Sequence, residues 1–266
     1  MSIFNLNANK AEKYIQEVGK YPDQDLDDFI VNPFLCLDAI FTYFKYGILK
    51  KEILQTITHL CYNDYQLRKM HLTDYHYNEI ILKLALITLC FNNNPLKELK
   101  FINTIFKYFK TIQVKENSSL NIFYTGFQAN AYWRIGNIKK ALSTQNQFLK
   151  IQDAAYNSYT PFMKVFFSML SVKASLHNQA YKVALLQAKT LNAYCNKTGY
   201  LLSGIYTSIF FLDSINIENT DAADVKEIYN YILRNIRSSG FRLESFLQPD
   251  FQNKIDSLIR ERNRVA

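Results

Sequence analysis

Glycine and proline are scarce in this chain, at 7 and 5 of 266 residues. That scarcity argues against linkers between separate domains and for one continuous helical structure. No interval alternates apolar and polar residues over a strand's length, and no Pro-, Gly- or Ser-rich stretch separates two halves. The four cysteines, Cys36, Cys61, Cys90 and Cys195, stand far apart in apolar stretches, where Cys behaves as a small hydrophobe. Paired spacing is missing, so neither a disulfide framework nor a structural zinc site is expected, and a reducing cytoplasm is the simpler setting.

Other absences narrow the function classes. The histidines, His59, His71, His76 and His177, include no pair at the i, i+4 spacing with an intervening Glu that a helical zinc protease needs. The glycines form no phosphate-cradling cluster. Asp23, Asp25 and Asp27 alternate like the start of a calcium loop, but Asp28 and Phe34 occupy the positions that require Gly and Glu. No catalytic residue, cofactor or metal is therefore expected. Residues Met1 to Lys20 are broken by Asn5, Asn7, Asn9, Lys10, Glu12 and Lys13 and contain no secretory core. The longest uncharged apolar segments, such as Tyr200 to Leu212, run about 13 residues against the roughly 20 needed to span a bilayer. The expectation is a soluble, cytoplasmic protein without membrane insertion.

What is present is apolar material at helical spacing. A hydrophobic content of 48%, with 15% aromatic, is ample for one continuous all-α domain over residues 1–266. Capping signals place its joints. Ala11, Tyr14, Ile15 and Val18 predict a helix over Ala8–Val18 within an N-terminal extension of residues 1–32. Asn32-Pro33, Asn94-Pro95 and Thr160-Pro161 each combine a capping side chain with a proline suited to the first turn. They predict helices from Pro33 to Tyr46, from Pro95 to Ile112 and from Pro161 towards Ser175. Further helices are expected over Leu49–Cys61, Asp74–Phe91, Tyr200–Ile215 and Ala222–Arg237. First helices beginning near Pro33, Asp74, Ser119, Pro161 and Tyr200 recur at offsets of about 41, 45, 42 and 39. This spacing predicts about five hairpins over residues 33–238, followed by a charged capping helix over 249–263.

The stretch Ile122 to Asp153 contains a complete pair of helices with a recognisable joint. Ala129 and Tyr132 share a face of the first helix, Gly136-Asn137 supplies a left-handed turn and a polar cap, and Ala141 lets the second helix approach closely. This order resembles one tetratricopeptide repeat, with Phe148 in place of the usual late Ala and Asp153 in place of the closing Pro. A hairpin of another superhelical family fits the same residues. In the following unit Ala184, Ala188 and Leu191 fall where a second helix packs, but Gln179 replaces the turn glycine.

The resemblance implies a right-handed superhelix of stacked antiparallel hairpins whose first helices line a concave groove. It directs Phe123, Gly126, Asn130, Trp133 and Arg134 towards that groove, with Phe123, Asn130, Trp133 and Arg134 as partner-binding residues. Trp133 has a rival place in the core between hairpins. Asn130 matches an Asn with which such families clamp a terminal carboxylate, whereas Leu170 stands where the next unit would supply another. The implied ligand is therefore an internal or apolar peptide, and the implied function a non-enzymatic module that binds a peptide or partner-protein segment. By analogy of fold with bacterial regulators that sense signalling peptides, it reads as a regulatory or sensor protein without its own DNA reader.

The formal charge of +8 supports an alternative. Lys97, Lys100, Lys107, Lys110 and Lys115, and at the end Arg234, Arg237, Arg242, Lys254, Arg260, Arg262 and Arg264, form two basic regions suited to nucleic acid. The first also reads as an ordinary solvated face, opposite Leu99, Ile102, Ile105, Phe106 and Phe109.

Overall fold

The computed structural model describes residues 8–18, 36–43, 46, 81–88, 91, 94–110, 119–150, 159–215, 221–237, 253 and 255–257. Every element among them is an α-helix, as the apolar spacing predicts. The helices with both ends in view are α1 (Ala8–Val18), α2 (Pro95–Lys110), α3 (Ser119–Ile135), α4 (Ile138–Lys150), α5 (Pro161–His177), α6 (Tyr181–Thr198), α7 (Leu201–Ser214) and α8 (Ala222–Arg237). Residues 36–43 and 81–88 are also helical. The expected Leu49–Cys61 helix, the acidic joint at Asp23, Asp25 and Asp27, and most of the capping helix over 249–263 lie outside the described residues. So do His59, His71, His76, Lys115 and the basic residues from Arg242 onward.

The caps act as their chemistry requires. Asn94 Oδ1 accepts the Lys97 N–H at 3.1 Å and Thr160 Oγ1 accepts that of Met163 at 3.3 Å, ahead of Pro95 and Pro161. Each bond satisfies one of the donors that a helix start leaves without an intrahelical partner. Between α3 and α4, Gly136 adopts φ 79. Its N–H bonds to Trp133 O at 3.0 Å while that of Asn137 reaches Tyr132 O at 3.0 Å. Asn137 Oδ1 then caps α4 through the Lys140 N–H at 3.3 Å. Between α5 and α6 the same two bonds recur, from Gln179 to Leu176 O and from Ala180 to Ser175 O, both at 2.9 Å. Gln179 itself takes the left-handed conformation, with φ 57. Both joints are Schellman motifs, so Gly136 and Gln179 mark equivalent positions 43 residues apart. The equivalence extends into the second helices, where Ala141 and Ala184 are both fully buried and Phe148 matches Leu191, each 1% exposed.

Where the sequence reads as one continuous domain, the contacts group the chain into two compact units. One comprises Ile15–Thr42 and Ile48–Lys164, the other Met1–Tyr14, Tyr43–Gly47 and Val165–Ala266. In the first unit α3 packs against both α2 and α4. It is accordingly apolar on most sides, burying Ile122, Phe123, Thr125, Phe127, Ala129, Asn130 and Ala131. In the second unit α7 holds the corresponding central place, against α6 and α8. Small and hydroxyl residues bring its neighbours close. A Cβ on Gly204 would lie 2.3 Å from the Tyr231 hydroxyl, inside any tolerable contact. Asn192 Nδ2 donates to Ser208 Oγ at 2.9 Å across the α6–α7 seam. Cys195 is buried there and burial pushes its thiol up to about 12, so it packs as a neutral hydrophobe. No helix among the described residues is long and apolar enough to cross a membrane.

Candidate functional site

The four residues that the resemblance assigns to partner binding all have contacts or burial within the first unit. Phe123 is fully buried, with its ring 5.8 Å from that of Tyr159, and belongs to the core. Asn130 is 4% exposed. Trp133 is half-buried, and its indole N–H donates to Gln145 Oε1 of α4 at 2.7 Å, which turns it towards its own hairpin partner. Arg134 forms an ion pair with the fully buried Glu98 of α2 and donates to Phe91 O at 3.1 Å. Glu98 also accepts from Thr88 Oγ1 at 2.9 Å, so its carboxylate is satisfied twice within the core. These contacts follow from the position of α3, which is packed by α2 on one flank and by α4 on the other.

The register of the two joints also corrects one equivalence. Counting from Gly136 and Gln179, the residue that corresponds to Asn130 is Lys173, and Leu170 corresponds to Phe127. Lys173 is 6% exposed, with its ammonium 5.0 Å from the Tyr206 ring and 4.6 Å from that of Phe210. The chain thus keeps a polar side chain at both equivalent positions and buries both.

A solvent-facing polar network lies where α2 meets α3. Tyr124 donates to Asn103 Oδ1 at 2.8 Å, and Gln128 Nε2 donates to the same oxygen at 3.2 Å and to the Tyr124 hydroxyl at 2.8 Å. Phe106 stacks on the Tyr124 ring, with centroids 3.5 Å apart and planes within 9°. Burial, and secondarily the neighbouring Tyr132, push the Tyr124 phenol up to about 12, so it remains a neutral donor across ordinary pH. Tyr124 and Gln128 are four apart on α3, one helical turn, and meet Asn103 on α2 because both helices present that edge outward.

Beside this network lies a hollow of about 420 Å³. Leu96, Leu99, Lys100, Asn103, Thr104 and Lys107 of α2 line it. Their spacing of three and four residues is a single helical stripe. The stripe separates Leu99 from Ile102 and Ile105, which are buried at 0% and 1%, although all three read as one apolar face in the sequence. Leu96 is 66% exposed. The ammonium groups of Lys100 and Lys107 have no carboxylate partner among the described residues. Sequence reasoning passed over Leu96, Asn103 and Gln128. The usable signal was the stripe 96, 100, 103, 107, which carries leucine, lysine and amide together on a helix whose other face already supplies a complete core row.

Compared with family models, with curated proteins and with solved structures, the chain matches none.

Proposed function

We propose that this chain is a non-enzymatic interaction module that holds a segment of a partner protein on helical hairpins stacked in the manner of tetratricopeptide repeats, with the α2–α3 face as the contact surface. The observation that carries the proposal is the hollow beside the fixed Asn103–Tyr124–Gln128 network, with Leu96 66% exposed at its edge. A preorganised set of amide and phenol groups beside an apolar recess matches what polypeptide recognition uses: an anchor pocket for affinity and oriented polar groups for register. The recurrence of one hairpin joint at Gly136 and Gln179 supports the repeat architecture, because stacked units require a constant helix-to-helix geometry. Arg134, Trp133 and Asn130 then act as the frame behind the surface. A regulatory role in the cytoplasm is part of the same proposal.

A second reading, nucleic-acid binding, is favoured by Lys97, Lys100 and Lys107, which are exposed without carboxylate partners among the described residues. The exposed leucines weigh against it, since phosphates gain nothing from an apolar recess. Affinity capture from the native host, after nuclease treatment, tests the proposal with the wild-type chain beside Leu96→Asp. The expected result is a polypeptide retained by wild type and lost from the variant while both keep the same melting temperature. Equal retention by both forms, or release by nuclease, contradicts it.

A further inference from the structure

Resting on that reading, we infer that the hollow on α2 takes an acidic segment of polypeptide carrying an aliphatic anchor. The anchor follows from the floor of this open hollow, where Leu96, 66% exposed, and Leu99 offer an apolar surface for an aliphatic side chain to lie against. The acidic character follows from uncompensated charge. Lys100 and Lys107 line the hollow, each about one turn from Asn103 and on opposite sides of it, and Lys97 is exposed beside them. The one carboxylate on α2 is Glu98, and it is fully buried, committed to Arg134 and Thr88. The outer face of the helix is left with lysines that no carboxylate among the described residues neutralises. Aspartate or glutamate within a helical turn of a leucine, isoleucine or methionine complements both features at once, the ammonium groups steering and the recess anchoring. Asn103 Oδ1, already accepting from Tyr124 and Gln128, fixes the middle of the stripe so that the lysines flank a constant point.

A phage-displayed library of random peptides, selected on the full wild-type chain and counter-selected on the Leu96→Asp, Lys100→Glu double variant, tests the inference. Both substitutions are at exposed positions, and a thermal melt of the variant establishes that it folds. The expected outcome is enrichment of peptides with Asp or Glu within one turn of an aliphatic residue. A synthetic copy of an enriched peptide should bind about tenfold more weakly to Lys100→Glu, Lys107→Glu. A version with its acids changed to Lys should recover binding to that charge-reversed protein. If the enriched peptides are neutral or basic and the charge-reversed protein binds them unchanged, the acidic inference falls and the interaction module stands. If no peptide is enriched over the counter-selected variant, both fall. If an oligonucleotide of equal charge displaces the peptides at low salt and binds more tightly than they do, phosphate is the ligand and the inference is overturned.

Discussion

The hairpins α3–α4 and α5–α6 close through the same two backbone hydrogen bonds, yet the side chains at the joint differ completely. The first has Gly136 in the left-handed position and Asn137 as a cap for the following helix. The second has Gln179 at φ 57 and Ala180, which makes no side-chain cap. Local preference favours the first joint and opposes the second, since a left-handed residue with a β-carbon costs about 1–2 kcal/mol and a missing cap about 1 kcal/mol. The second hairpin forms nonetheless. Its α6 buries Ala184, Ala188, Leu191, Asn192 and Cys195, and Ser175 donates to Gln187 Oε1 at 2.8 Å across the pair. Packing therefore holds in one hairpin what turn chemistry already favours in the other.

The two hairpins also differ in how they bury charge, and this difference carries the largest expected effect. Arg134 neutralises the buried Glu98, whereas Lys173 sits between aromatic rings with no carboxylate partner among the described residues. Arg134→Met strands a carboxylate in the core and should cost about 3 kcal/mol in chemical denaturation. Lys173→Met removes a buried cation together with its ring contacts and should stay within about 1 kcal/mol of wild type. Equal losses at the two positions break the comparison. Adding Glu98→Gln to Arg134→Met should restore most of the lost stability.

Next in size is the close approach at Gly204 in the second unit. Gly204→Ala places a methyl group against the Tyr231 hydroxyl, which has no hydrogen-bond partner, and should cost about 2 kcal/mol. Tyr231→Phe alone should be neutral or slightly stabilising, and the double variant should lose less than Gly204→Ala by itself. Strict additivity removes the contact from the account.

The joints themselves come third. Gly136→Val should lower stability by about 1–2 kcal/mol although nothing lies within 4 Å of the added Cβ, because the cost is conformational. Gln179→Gly should raise stability by about 1 kcal/mol, and Ala180→Asn by somewhat less. If Gly136→Val leaves stability unchanged or Gln179→Gly lowers it, the two turns are not equivalent.

The smallest effect is on pH dependence in the first unit. A phenol whose pKa rises from the ordinary 10.0 to about 12 on folding holds its proton longer in the folded chain. The contribution of Tyr124 is therefore complete below pH 10 and is lost as pH rises through about 12. Stability measured across that window should fall less steeply in Tyr124→Phe than in wild type.

Much of the fold was legible because its boundaries rest on local chemistry. Asn94-Pro95, Thr160-Pro161 and Gly136-Asn137 each act within four residues, and Ala8–Val18 and Ala222–Arg237 end where their apolar spacing ends. The surface was less legible. Trp133 meets Gln145, and Arg134 meets Glu98 from 36 residues earlier. Nothing local to α3 reveals that α2 covers one flank and α4 the other. The shift from Leu170 to Lys173 has the same origin, because a turn that uses Gln179 has no glycine by which to set the register.

Under the proposed function, partners meet the α2–α3 edge rather than the outer face of α4. Leu96 and Leu142 are both exposed large hydrophobics of the first unit, one on each helix. A photoreactive amino acid placed at position 96 in one preparation and at 142 in another, each illuminated in the native host, compares the two faces directly. The expected result is a covalent polypeptide adduct from position 96 and none from 142. An adduct from 142 alone, or equal adducts from both, contradicts it.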